Sequence, residues 1–285
     1  MAARLILSRK GFDSAAGHGY SPYDPKTGRY ILLHIPETVR NHGQRYADLK
    51  LKPGYLAGID ASDLMEVVTN SPYAYGSGAR AAVKGQVHFD PWLGSCPWLV
   101  NTPETCGALG QRYAAQRHLR NMDVGPGSIF LFLSRFIEPG KKRHWRSGFH
   151  AIFGWLRVGA IVCDRRDLPE GLRAHPHYND VFGPGNAIYL AADRLFDGFD
   201  IPGAGYFPTP AACQVLSYDD LSVTPRVWAL PRFFMDQKPS YFPKTPEEWR
   251  VQGNTCYVKS PARGQEFVTD LSEPAIAWVR SLFGV

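Results

Sequence analysis

Two apolar runs joined by a basic segment constrain this chain more than any other feature. Residues 128–136 read SIFLFLSRF, residues 149–163 read FHAIFGWLRVGAIVC, and FIEPGKKRHWRSG spans 136–148 between them. Continuous apolar runs can also be buried helices. Their lengths and β-branched residues, with Gly154 and Gly159 at bulge or corner positions, favour strands. Gly125-Pro126-Gly127 turns the chain into the first run. Two such strands bridged by a basic loop predict a strongly curved mixed or antiparallel sheet, or a small β-barrel.

Further strands are expected at 3–8, 29–36, 83–90, 187–193 and 264–269, the second stopped by Pro36. Residues 202–207 read as a turn, and 227–235 as an apolar run broken by Pro231. Helices are expected at 60–70, 102–119 and 273–283, with a helical turn opened by Thr245-Pro246. With no repeat or linker in view, residues 1–285 read as a single α+β domain with peripheral helices and a β-rich centre at about 125–195.

The chain carries 32 Lys and Arg against 26 Asp and Glu, a net charge of +6. That balance suits a phosphate-bearing partner and equally an ordinary soluble surface. The five cysteines are odd in number and form no CxxC, which disfavours a disulfide framework or a zinc knuckle and points to a reducing cytoplasm. The start, MAARLILSRKGFD, holds an apolar run too short for a signal peptide, and no stretch is long enough to span a membrane. GxGxxG, Walker A, GxSxG, HExxH and the HxE/PCxxC pair are absent. This disfavours nucleotide-driven motors, the common hydrolase elbow and zinc deaminases.

The candidate site residues lie at strand ends and in loops. In VKGQVHFD, alternation places His88 and Asp90 together on the polar face, and Pro91 ends the strand. With a third ligand from His118, His150, His175 or His177, the pair could form a two-histidine, one-carboxylate face for a divalent metal such as iron. His88 could instead act as a general acid or base, and Asp90 could simply bond the turn backbone. Pro176 favours an extended His175, so that His175 and His177 can converge on a ligand.

In SRKGFD, Arg9 offers a fork and Lys10 a point charge for a phosphate, and Asp13 can orient either cation or accept a proton; a salt-bridged turn is the plainer reading. Gln111, Gln116, His118 and Asn121 fall on or near one expected helix, where amides can read base edges or cap loops. Gln265 and Glu266 would face opposite ways on a strand, one serving a pocket; Glu266 could activate a water or a 2′-hydroxyl. Lys141, Lys142, Arg143 and Trp145 form either a phosphate-contact and stacking loop or a charged hairpin tip. Cys96 is a conceivable thiolate, or a small buried residue.

LILSRKGFDS at 5–14, GQRYAAQRHLRNMDVGPGSIFLFLSRF at 110–136, HAIFGWLRVGAIV at 150–162, HPHY at 175–178, PGAGYF at 202–207 and GQEFV at 264–268 resemble the nucleotide modification associated domain 3 family. The resemblance implies a place in systems that modify DNA bases, often bacterial or phage. The Gly-Pro-Gly turn, FLF strand, basic loop and WLRVG strand are similar to PUA-like barrels, some of which read modified or flipped bases. Two main readings follow. In the first, an enzyme acts on a nucleobase or nucleotide in a polar pocket where Arg9, Lys10, Asp13, His88, Asp90, His175 and His177 converge. In the second, a non-catalytic PUA-like reader binds modified nucleic acid. An enzyme acting on an unrelated small molecule is the third.

Overall fold

The computed structural model describes residues 2–12, 20–37, 45–55, 86–100, 107–138, 148–180, 183, 185–217, 226–262 and 264–285. The expected helix at 60–70, residues 83–85 of the expected strand at 83–90, Asp13 and the 141–146 loop lie outside the described residues.

The fold is mixed α+β with one large mixed sheet and few helices. Strands β1 (Arg4–Arg9), β2 (Ser21–Pro22), β3 (Ala108–Arg112), β4 (Ile129–Ile137), β5 (Phe149–Val162), β6 (Asn186–Ala191) and β7 (Ala204–Tyr206) enter it in chain order. Strands β8 (Val227–Pro231), β9 (Trp249–Gln252) and β10 (Thr255–Lys259) make a small antiparallel sheet, and β11 (Glu266–Asp270) returns to the large one. Among the described residues the α-helices are α1 (Tyr113–Asn121), α2 (Phe233–Gln237) and α3 (Glu273–Ser281). The large sheet runs β11-β1-β4-β5-β6-β3, with β2 also paired to β4 and β7 to β5. Among the described residues this path is open, so the expected small barrel is not closed.

β1 pairs parallel with β4, Leu5 opposite Ile129 through Arg9 opposite Leu133. A parallel neighbour requires a long crossover. The chain between β1 and β4 supplies it, and that crossover carries much of the candidate site. All nine residues of β4 are buried because both sheet faces are covered. Phe130, Phe132 and Phe136 enter one core, and Ile129, Leu131 and Leu133 enter the other. β1 divides the same way, Ile6 to the first core and Leu5 and Leu7 to the second. Each such side chain stabilises the fold by about 1.5–3 kcal/mol. The second core is closed by the small sheet, α2 and α3, through Trp228, Phe234 and Val279.

β4, β5, β6, β11, α3 and the turn at Pro246–Glu248 lie where the sequence places them, and the β5–β6 register slips between Val158 and Ala160, at Gly159. Other expectations need correction. Residues 29–36 form no strand; Tyr30 and Pro36 make isolated bridges, and the Phe12 N–H donates to the Leu33 carbonyl. This segment is threaded between neighbours that each satisfy part of its backbone. Residues 86–90 are likewise bridged only at Gln86 and Val87, and Val87, His88, Phe89 and Asp90 are all buried, so the expected half-exposed strand is covered on both sides. Residues 202–207 contain β7, with Tyr206 opposite Gly154. Residues 102–106 of the helix expected at 102–119 lie outside the described residues; of the rest, Ala108–Arg112 are captured as a strand by pairing with β6, and helix runs from Tyr113. The Thr245 hydroxyl bonds the Glu248 side chain rather than capping the backbone.

Candidate functional site

Four segments bring polar side chains into one buried cluster. β1 ends at Arg9 and delivers Lys10. The threaded segment after Pro36 delivers Glu37. The irregular stretch before Pro91 delivers His88 and Asp90, and the turns after β5 deliver His175 and His177. β3 passes beneath them. Burying such groups is tolerated only where they are hydrogen-bonded or paired.

His88 Nδ1 lies 2.6 Å from Glu37 Oε2, and since a carboxylate only accepts, the imidazole N–H donates. The other nitrogen of His88, Nε2, faces Nε2 of His177 at 3.1 Å. Asp90 Oδ1 accepts from the Gly110 N–H at 2.8 Å and lies 3.2 Å from His175 Nε2. The His177 backbone N–H donates to His175 Nδ1 at 3.2 Å, tying the two loop histidines together. Gly110 is required by contact: a Cβ there would clash with the His177 ring. Lys10 Nζ lies 3.5 Å from Glu266 Oε1 and 4.0 Å from Asp90 Oδ2, and Gln111 donates to Glu266 Oε1 at 2.7 Å.

The electrostatics follow from burial and partners. Burial opposes ionisation of Asp90, but the His175 hydrogen bond and the Lys10 charge outweigh it and hold the carboxyl below the usual carboxylate range. Burial lowers His177 to about 3 and His34, packed on Phe89, to about 4, so both rings stay neutral. Burial, and then the like charge of Arg226, lower Arg135.

A cavity of about 570 Å³ opens over this cluster. Its lining includes Glu37, His88, Asp90 and His177 and the cationic Arg9, Lys10, Arg112, Arg135 and Arg226. The Arg9 guanidinium is held over the Phe267 and Trp228 rings, with its carbon 4.9 Å and 5.4 Å from their centres. Tyr113, at the first position of α1, lines the cavity, is 68% exposed, and has a left-handed backbone with φ 54°. An aromatic residue in that conformation is strained.

The structure thus brings together Arg9, Lys10, His88, Asp90 and His177 at the cavity, with His175 and Glu266 bonded just behind. Gln111 lines the cavity from β3, not from a helix. His118 sits apart, its Nε2 between Ser240 Oγ at 3.1 Å and the Glu266 carbonyl at 3.2 Å, and Gln116 accepts from the Tyr189 hydroxyl. Gln265 reaches the cavity, and Glu266, its neighbour, faces Gln111 and Lys10. Cys96 is buried and its thiol is pushed up to about 12 by burial, as for a small core residue. Asp13, Lys141, Lys142, Arg143 and Trp145 lie outside the described residues. Sequence reasoning missed Glu37, Gly110, Arg112 and Arg226. Nothing in the spacing of Glu37 marked it as a partner for His88.

Among the described residues no helix is long and apolar enough to cross a membrane. No curated protein and no solved structure matches the chain. The family profile of nucleotide modification associated domain 3 matches residues 4–270, nearly the whole chain and every segment that builds the cavity. The chain belongs to the nucleotide modification associated domain 3 family.

Proposed function

We propose that the protein is an enzyme of a DNA base or nucleotide modification system, acting on a nucleobase or nucleotide held in this cavity. One observation carries the reading: a single cavity joins a cationic wall to a buried cluster of imidazoles and carboxylates. Arg9, Lys10, Arg112 and Arg226 hold the phosphate, the arginines by forked donors and Lys10 as a point charge. His88, Asp90 and His177 lie at the reacting end, with His175 and Glu266 fixing Asp90 and Lys10 from behind. The volume falls within the range of about 300–1,000 Å³ typical of small-molecule sites, which suits one nucleotide. A cytoplasmic, bacterial or phage setting belongs to the same proposal.

The test is mass spectrometry of nucleosides from cells with and without the gene. A modified nucleoside that appears or disappears with the gene supports the reading; identical profiles count against it. His88→Asn, whose amide can stand where Nδ1 donates to Glu37, should then abolish the change while nucleotide affinity persists.

A second reading, a non-catalytic PUA-like reader of modified nucleic acid, has two observations in its favour. Tyr113 is exposed and strained at the cavity, with the Arg112 guanidinium carbon 5.6 Å from its ring centre, an arrangement suited to stacking a base. The side-chain contact between β3 and β11, end strands of the sheet path, also suits a curved sheet of that kind. A reader predicts unchanged nucleosides in the comparison above and tight binding to modified DNA.

A further inference from the structure

We infer that His88, His177 and Asp90 form a binding site for a divalent transition-metal cation, with Glu37 orienting His88 from behind. The inference rests on the proposed function only in taking the same cavity, and it names what sits at its reacting end. Each of the three residues offers one ligand atom, and these atoms lie within 4.8 Å of one another. All three residues are buried, yet His88, Asp90 and His177 line the cavity, so an ion held there is reachable.

The imidazole pair carries the argument. The two Nε2 atoms face each other at 3.1 Å. Lone pairs at that distance repel, so a positive centre must lie between them, either a proton or a cation. Metal–imidazole bonds of about 2.0–2.1 Å place two neighbouring ligands roughly 2.9–3.4 Å apart for octahedral to tetrahedral angles. The observed gap falls inside that interval without any movement of the rings.

The surroundings favour the cation. Glu37 accepts from Nδ1 of His88 at 2.6 Å, the carboxylate–histidine pairing that fixes the opposite ring nitrogen as a ligand. Gly110 and His175 both engage Oδ1 of Asp90, which leaves Oδ2 as the ligand oxygen. The Lys10 ammonium, 4.0 Å from that oxygen, lies nearer Glu266 at 3.5 Å, so it offsets charge without filling the site. Two imidazoles and one carboxylate suit zinc, manganese, iron or cobalt, whereas magnesium and calcium prefer all-oxygen shells. The positions on the cavity side are open to water or to an oxygen of the substrate.

The test uses the full chain, stripped with a chelator and titrated with cobalt(II). One equivalent should bind with visible absorption bands from nitrogen and oxygen ligation, at micromolar dissociation constant or tighter. His177→Ala and Asp90→Asn should each weaken binding at least 100-fold while circular dichroism stays native. Glu37→Gln, which leaves all three ligands in place, should weaken it about 10–100-fold. His118→Ala, outside the cavity, should bind like the parent. Absence of one-equivalent binding by the parent chain overturns the inference and leaves a shared proton between the imidazoles. Unchanged binding in both His177→Ala and Asp90→Asn also overturns it. Because cobalt binding is read without turnover, a gene-dependent nucleoside with no cobalt site defeats this inference alone, and cobalt binding with unchanged nucleosides defeats the proposed function alone.

Discussion

The two faces of the large sheet are both buried, but by different means. One face meets the small sheet, α2 and α3 through Trp228, Phe234, Phe267 and Val279. The other begins as an aromatic core of Phe130, Phe132 and Tyr189 and then gives way to His34, His88, Asp90, His175 and His177, all buried. Apolar burial needs only volume and contact, so it can be assembled from any residues of suitable shape. Buried imidazoles and carboxylates persist only with specific partners, and the partners here come from segments far apart in the chain, among them Lys10, Glu37, Gly110 and His177. One face therefore holds the fold together, and the other holds groups whose burial costs stability unless each finds its partner; it is this second face to which the proposed chemistry is assigned.

The largest way to break this contrast is on the apolar face. Phe234 is fully buried, packed on Phe233 and Trp278. Phe234→Ala should lower unfolding stability by about 3–5 kcal/mol in chemical denaturation. The yield of modified nucleoside per folded molecule should not change. On the polar face the pattern should invert. His177→Asn should reduce turnover about 10²–10⁴-fold, with a stability loss of about 1–3 kcal/mol at most. Equal losses of activity in the two variants would erase the distinction between the faces.

The same contrast explains what was legible in the sequence. β4 and β5 could be read because strand burial repeats along the chain, and one segment carries its own signal. His88 and Asp90 could be paired because they stand two apart. The wider cluster had no such local mark: Glu37 and His88 meet across 51 positions, and Gln111 and Glu266 across 155. Residues 108–112 were misread as helix because their pairing with β6 is a property of the partner strand, not of ALGQR. Residues 29–36 looked like a strand because their apolar run is indeed buried, but burial by threading and burial by a ladder leave the same composition.

Gly110 tests the polar face more finely than loss of a histidine does. Its N–H holds Asp90, and its missing side chain admits the His177 ring. Gly110→Ala keeps every candidate ligand and every charge, and displaces one ring by about the size of a methyl group. Misplacement on the order of 1 Å can cost about 100-fold in rate. Turnover should fall by about that factor, and cobalt affinity should fall with it, while the far-ultraviolet circular dichroism of the sheet is retained. Normal turnover in this variant would mean that the His177 ring position does not matter.

Arg9 is where the two faces meet, and it should give the smallest effect. Its guanidinium lies against Phe267 and Trp228 of the apolar face, and it also lines the cavity. Arg9→Lys keeps the charge but loses the planar fork and the stacking that positions it. If Arg9 only holds phosphate, KM for the nucleotide should rise about 5–30-fold, the equivalent of about 1–2 kcal/mol, with kcat unchanged. The size of that shift measures how far the apolar face prepares the polar one, because the rings pack against the fork. A fall in kcat with constant KM would instead move Arg9 in among the reacting groups, and the boundary between a face that stabilises and a face that reacts would then run through the aromatic core itself.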